Sequence, residues 1–79
     1  MESNGWFNGE TYSVAREIIQ TRELAEKAKL YKSRVNHSYA TYVDFLRFAG
    51  LVNESTRDGV AFQDLRVNDF QIVEGVIFN

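Results

Sequence analysis

The sequence predicts an all-α fold: a small domain of three to four helices over residues 1–79, with one long irregular loop at about 51–67. Three observations carry this. Apolar residues recur at helical spacing in several separate stretches. A capping residue such as Asn8, Thr21, Asn36 or Asn68 precedes each stretch. The segment 21–32 consists almost wholly of strong helix formers. No internal repeat, low-complexity tract or linker divides the chain, so a single domain is expected.

The first helix is expected over about 9–20. Asn8 suits its N-cap, because the side-chain oxygen can accept an orphan backbone N–H of the first turn. Glu10 then lies where the helix dipole favours negative charge. Phe7 and Tyr12 have the spacing of a hydrophobic staple. Val14, Ala15, Ile18 and Ile19 form the apolar stripe.

The second helix is expected over about 22–34, after a bend at Thr21, which can act as a new N-cap. Leu24, Ala28 and Tyr31 share a face and Leu30 flanks it. This stripe is thin and the polar face is wide. Glu23 and Lys27 form an acid-before-base pair four residues apart, worth a few tenths of a kcal/mol.

Val35-Asn36-His37-Ser38 interrupts the pattern, with Asn36 or Ser38 as the expected cap of a third helix. Tyr39, Tyr42, Val43, Leu46 and Ala49 repeat at helical spacing, with Phe45 and Phe48 beside them. A helix apolar over almost half its circumference is a central one. Gly50 should close it in the left-handed conformation, followed by the hydrophobic contact of Leu51. Tyr42, Leu46 and Ala49 are expected to face the core together with Val14, Ile18 and Leu24.

Residues 51–67 read as a loop. Asp58-Gly59 is a strong turn signal. Val60-Ala61-Phe62 could pair with Leu51-Val52 as a short hairpin, and Phe62 is the expected anchor. Asn68 caps a last, short helix. Val67 and Ile72 again have staple spacing, and Gln71 sits at the capping-box position. Phe70, Val73 and Ile77 share a face of this helix, with Ile72 and Val76 beside it. Gly75 costs it about 1 kcal/mol relative to Ala. A strand over Val76-Ile77-Phe78 is the competing reading.

Composition narrows the class further. The chain has 79 residues, of which 44% are apolar and 14% aromatic. That is enough for a core, although a chain this short buries only about 60% of its unfolded surface. Cys is absent, which excludes a disulfide scaffold and a thiolate metal site. A single His excludes multi-His metal sites, and His37 reads as a solvated loop residue. The five glycines are too scattered for a phosphate loop. Carboxylate pairs such as Glu23/Glu26 and Glu10/Glu17 read as solvated helix faces, and Asp58 as a turn residue. The expectation is therefore a non-enzyme with no catalytic residue, cofactor or metal site. No apolar run reaches the roughly 20 residues of a membrane helix. The opening Met1-Glu2-Ser3-Asn4 lacks the pattern of a signal peptide. A soluble, cytoplasmic protein without a membrane partner is expected.

The stretch Gly5-Trp6-Phe7-Asn8-Gly9-Glu10-Thr11-Tyr12-Ser13-Val14 resembles the opening of a family of small uncharacterised proteins. Phages and some bacteria encode them, including cyanobacteria and their phages, and members start with an Asn-x-Glu-Thr-Trp/Tyr-x-Val pattern. Tyr42-Val43-Asp44 and Asp58-Gly59-Val60-Ala61-Phe62 are similar to later segments of that family. The resemblance implies a phage or mobile-element origin, with the host cytoplasm as the location. It implies no catalytic residue and no ligand.

Charge points to a surface. Net charge is −2, yet residues 27–43 carry Lys27, Lys29, Lys32 and Arg34 and no acid. Such a basic island can steer a partner of opposite sign. Eleven aromatics in a chain this small exceed what the core hides, so Trp6, Phe78 and one or two of Tyr31, Phe45 and Phe48 should stay partly exposed. The candidate partner-binding residues are Lys27, Lys29, Tyr31, Lys32 and Arg34. The expected function is a protein-interaction factor, a phage accessory protein that binds and modulates a host protein with an acidic surface. A homodimer that hides the aromatic patch is a further outcome. The alternative is a small nucleic-acid-associated protein binding through 27–34, which the sequence pI near 5.3 disfavours.

Overall fold

Asn8 starts the first helix and, with it, the fold. A computed structural model describes residues 5–79. The helices are α1 (Gly9–Gln20), α2 (Arg22–Arg34), α3 (Tyr42–Ala49) and α4 (Asp69–Ile72). A short 3₁₀ turn, His37–Tyr39, lies between α2 and α3, and α4 runs on into a π-helical stretch, Val73–Ile77. The fold is all-α, with no β-strand among the described residues.

Thr21 takes an extended conformation (φ −99°, ψ 113°) and turns the chain between α1 and α2. The bend is as expected, but the side chain does not cap α2. The Thr21 hydroxyl instead donates back to Glu17 Oε2 at 3.3 Å. The two helices then pack on each other, α2 packs on α3 and on the π stretch, and α4 reaches α1 and α3.

α3 begins later than the spacing suggests. Asn36 caps only the 3₁₀ turn, accepting from the Ser38 N–H at 3.0 Å. Thr41 caps α3, accepting from the Asp44 N–H at 3.0 Å, and Asp44 lies in the first turn. Tyr39 is therefore outside the helix and points to water. At the other end Gly50 is left-handed (φ 73°), and the Leu51 N–H reaches the Leu46 carbonyl at 2.8 Å. This closing bond, with Gly50 N–H on the Arg47 carbonyl, is a Schellman motif and seats Leu51 in the core.

Residues 51–67 form a loop pinned from within. Its turn at Asp58-Gly59 closes with Gly59 N–H on the Thr56 carbonyl at 2.9 Å. The hairpin register differs from the expected one. Ala61 faces Ser55 in a single bridge, and Glu54 and Thr56 exchange backbone bonds with Phe62 and Val60. Leu51 is thereby left free to close α3. Phe62 is buried as the loop's anchor, and the Tyr42 hydroxyl donates to its carbonyl.

The core takes Val14, Ala15 and Ile18 from α1, Leu24, Ala28 and Tyr31 from α2, and Tyr42, Phe45, Leu46 and Ala49 from α3. Leu51, Phe62 and Val67 come from the loop, and Ile72, Val73 and Ile77 from the C-terminal helix. The six residues expected to face inward do so. Ile19, Val43 and Phe70, read as members of apolar stripes, face solvent instead. Ile19 and Val43 each adjoin a buried residue and Phe70 lies two before one, and in so small a bundle a helix has only one neighbour-covered side.

The C-terminal segment is helical, not a strand. Phe78 N–H bonds the Val73 carbonyl at 2.9 Å, the wider i→i−5 ring of a π-helix. Gly75 packs beside Trp6: a Cβ there would sit 3.4 Å from Cη2 and Cζ3 of the ring, an ordinary van der Waals contact.

The starts of α1 and α4 share one hydrogen-bond network. Asn8 Oδ1 accepts from the backbone N–H of Thr11 at 2.8 Å and from its hydroxyl at 2.6 Å. Thr11 Oγ1 in turn accepts from Asn68 N–H at 2.8 Å, and Asn68 Oδ1 accepts from Gln71 N–H at 2.9 Å. Asn8 Nδ2 donates to the Arg66 carbonyl at 2.7 Å. The expected capping box is thus only half formed. Thr11 occupies the Asn68 N–H, so the Gln71 side chain turns to Phe7 N–H instead. That bond holds the backbone of Phe7, while its ring stays in water, so no buried Phe7–Tyr12 staple exists.

Because Asn8 serves both as cap and as donor to Arg66, Asn8→Ala should cost about 1–2 kcal/mol. Asn8→Asp keeps the cap and loses the donor, and should fall between the two proteins. Urea denaturation of the three checks this order.

Candidate functional site

Helix α2 supplies four of the chain's nine Lys and Arg residues besides Lys27: Arg22, Lys29, Lys32 and Arg34. Its thin stripe of Leu24, Ala28 and Tyr31 faces the core and leaves the rest of the circumference in water. At about 100° per residue, Lys29 and Lys32 stand side by side, and Arg22 lies two turns below Lys29 on the same row. Glu26 sits between Arg22 and Lys29 on that row. All three cations are exposed, and among the described residues none has an ion-pair partner.

Arg34 falls on the other side of the helix, about 160° round from Lys32, next to the half-exposed Leu30. The expected island is therefore split by helix geometry. Arg22, which the sequence reading passed over, belongs to the row, and a seven-residue spacing to Lys29 was the available signal.

Two of the five candidate residues have internal duties. Lys27 Nζ donates to the Ala49 carbonyl at 2.9 Å, at the C-terminal end of α3, and pairs with Glu23 at 3.3 Å. A cation there satisfies an orphan carbonyl and complements the helix dipole. Tyr31, expected at the edge as a partner anchor, is a core residue with no exposed surface. Its ring meets Phe45 edge-on at 5.5 Å and Phe48 at 5.4 Å, and its hydroxyl donates to Asp44 Oδ2 at 2.8 Å. Burial, then the hydrogen bond to Asp44, pushes the Tyr31 hydroxyl up to about 12.

The remaining basic residues of α1 and the loops are engaged. Arg16 binds Asp58, Arg57 binds Glu17 at 3.2 Å, and Arg66 binds Glu10 at 3.3 Å and Asp64 at 2.7 Å. Glu10, Glu17 and Asp58 thus fasten loop to helix, where the sequence suggested solvated or turn residues. Ser13 and Thr56, both buried, add a hydroxyl pair at 2.9 Å beneath the Asp58 turn. His37 is likewise tied down. Its Nε2 is 2.7 Å from Glu74 Oε2, and its ring stacks on Phe78 at 4.1 Å.

Exposed apolar surface includes the expected residues and extends beyond them. Trp6 and Phe78 are partly exposed and Phe48 is at the margin, while Tyr31 and Phe45 are buried. The large open side chains are Tyr39 (79%), Phe70 (71%), Phe7 (69%) and Leu65 (100%). Trp6 and Phe70 line an open cleft of about 430 Å³ with Gln71 and Glu74. A second cleft of about 330 Å³ lies between α3 and the loop. Among the described residues no group of three or more His, Asp or Glu could hold a metal ion. No described helix is long and apolar enough to cross a membrane. No family model, curated protein or solved structure matches the chain.

Two expected outcomes follow from these contacts. Tyr31→Phe should cost about 1 kcal/mol through the lost hydroxyl bond, and Tyr31→Ala about 3–5 kcal/mol through the lost ring. Thermal unfolding read by circular dichroism measures both. Hydrogen bonds from the Arg66 side chain and backbone hold the Asp64 carboxyl down to about 2 from an ordinary 3.8. The folded state then stays ionised where the unfolded chain protonates. The stabilisation is complete above about pH 4 and is lost as pH falls from there toward 2. A carboxyl carbon NMR titration should find the Asp64 midpoint near 2, and Arg66→Ala should return it toward the ordinary value.

Proposed function

We propose that this chain is a non-enzymatic protein-interaction factor. It acts in the cytoplasm as a phage accessory protein that binds and modulates a host protein. The observation that carries the reading is the row of Arg22, Lys29 and Lys32: exposed, on one side of α2 with Glu26 between Arg22 and Lys29, and without ion-pair partners among the described residues, while the cations of α1 and the loops are paired. A rigid helix presenting unpaired charge favours an acidic protein surface. Such charges act mainly on the rate of association. The phage origin is supported by the resemblance of the opening Asn8–Val14 motif. The acids on the rest of the surface weigh against the nucleic-acid alternative, because a chain of net charge −2 repels a polyanion beyond a three-cation footprint.

The test is a tagged pull-down from the host, followed by binding kinetics on the captured protein. Reversing Lys29 and Lys32 to Glu should slow association about tenfold and leave the dissociation rate and the melting temperature nearly unchanged. Affinity for the protein should fall only mildly between low and physiological salt. Tight binding to single-stranded or duplex nucleic acid that collapses over the same salt range would instead establish the alternative. Wild-type association by the reversed variant would remove α2 from the interface.

A further inference from the structure

The loop carries one apolar side chain that the fold does not use. Leu65 is 100% exposed, yet its two neighbours are locked. The Arg66 side chain forks onto Asp64 Oδ1 at 3.0 Å and Oδ2 at 2.7 Å, and its backbone N–H adds a bond to Oδ1 at 2.9 Å. Arg66 is itself held by Glu10 and, through its carbonyl, by Asn8. Leu65 therefore stands on a rigid pedestal, with little backbone freedom left to lose on binding.

Beside it lies the cleft of about 330 Å³ between α3 and the loop. Leu65 is part of its edge, Val43 and Val52 line its walls and Leu46 its floor. The rim carries both signs of charge. Arg47 is exposed and has no ion-pair partner among the described residues. Asp69, also exposed, gives one oxygen to the Tyr42 N–H at 3.0 Å and keeps the other open.

We propose that this face pairs with a second copy of the chain about a two-fold axis, Leu65 of each copy entering the cleft of the other. The reason is self-complementarity. A two-fold interface needs one patch that holds both a projection and its receptor. Here a fixed apolar knob and an apolar cleft share one patch, and an unpaired cation and an open carboxylate share its rim. In the pair, Arg47 of one copy meets Asp69 of the other, and each Leu65 leaves water. The patch is small, so the dimer is weak, with a dissociation constant of about 10 µM to 1 mM. The pairing is separate from the α2 surface and goes beyond the function proposed above.

Sedimentation velocity of the full chain, up to about 1 mM, reads the outcome directly. The mass should rise with concentration from 9.1 kDa toward twice that value. Leu65→Glu should weaken the pair at least about tenfold, and Arg47→Glu about threefold. Both side chains are exposed and make no bond within the fold, so circular dichroism of each variant should match wild type. The Lys29/Lys32 reversal should leave the dimer intact, which separates this result from the partner-binding one. Methyl NMR signals of Val43 and Leu65 should shift on dilution. A monomeric mass at the highest concentration would overturn the proposal. So would a dimer that neither Leu65→Glu nor Arg47→Glu weakens.

Discussion

Asn8, Thr11 and Asn68 form the contact on which the rest of the structure depends. Two helix starts, 60 residues apart in sequence, share one set of hydrogen bonds through the Thr11 hydroxyl. Each helix start exposes backbone N–H groups that need acceptors. In most chains each start is satisfied locally. Here the Thr11 hydroxyl donates to the Asn8 cap oxygen and accepts from the Asn68 N–H, so forming α1 correctly helps to position α4. The network also closes the chain: Gln71 holds the Phe7 backbone, and Asn8 holds Arg66. A domain this small has little core to spare, and part-buried hydrogen bonds of this kind help to fix its geometry where packing alone leaves alternatives.

That closure decides what happens to charge. With α1 and α4 fixed, the 51–67 loop lies across α1, and Arg16, Arg57 and Arg66 find carboxylates on the facing segment. Each pair is half-exposed and weak by itself. Together they hold a loop that has little regular structure of its own. Helix α2 lies away from this seam. Lys27 reaches back to the end of α3, but among the described residues no ion pair holds Arg22, Lys29 or Lys32, although Glu26 shares their row. The local charge pattern of α2 and the remote position of the acids together produce an open basic row.

The aromatic surplus is divided in the same way. Tyr31, Phe45 and Phe62 are consumed by the core, and Phe78 covers His37. Phe7 and Phe70 sit at the starts of helices and Tyr39 at the end of the 3₁₀ turn, where the backbone is held and the side chains project outward. Leu65 shows the extreme form: the Asp64–Arg66 fork fixes the main chain on both sides of a fully exposed side chain.

The sequence by itself determined the helices and most of their limits, the start of α3 at Thr41 being the exception. Asn8, Gly50 and Asn68 mark ends by local stereochemistry, and the bend at Thr21 and the Asp58-Gly59 turn are equally local. It also determined most of the core, because a residue such as Leu46 or Ile18 has one way to leave water. What it could not determine was competition between neighbours of similar character. Val43 against Leu46, Ile19 against Ile18 and Phe70 against Val73 are decided by which side of the helix another element covers. The same holds for the candidate surface. The Glu23 spacing sets Lys27 apart from Lys29, and the stripe with Leu24 and Ala28 puts Tyr31 on the inner face, but the order of residues does not name the groups either one bonds. Only the approach of α3 gives Lys27 a carbonyl and Tyr31 the Asp44 carboxylate, and so removes both from the surface.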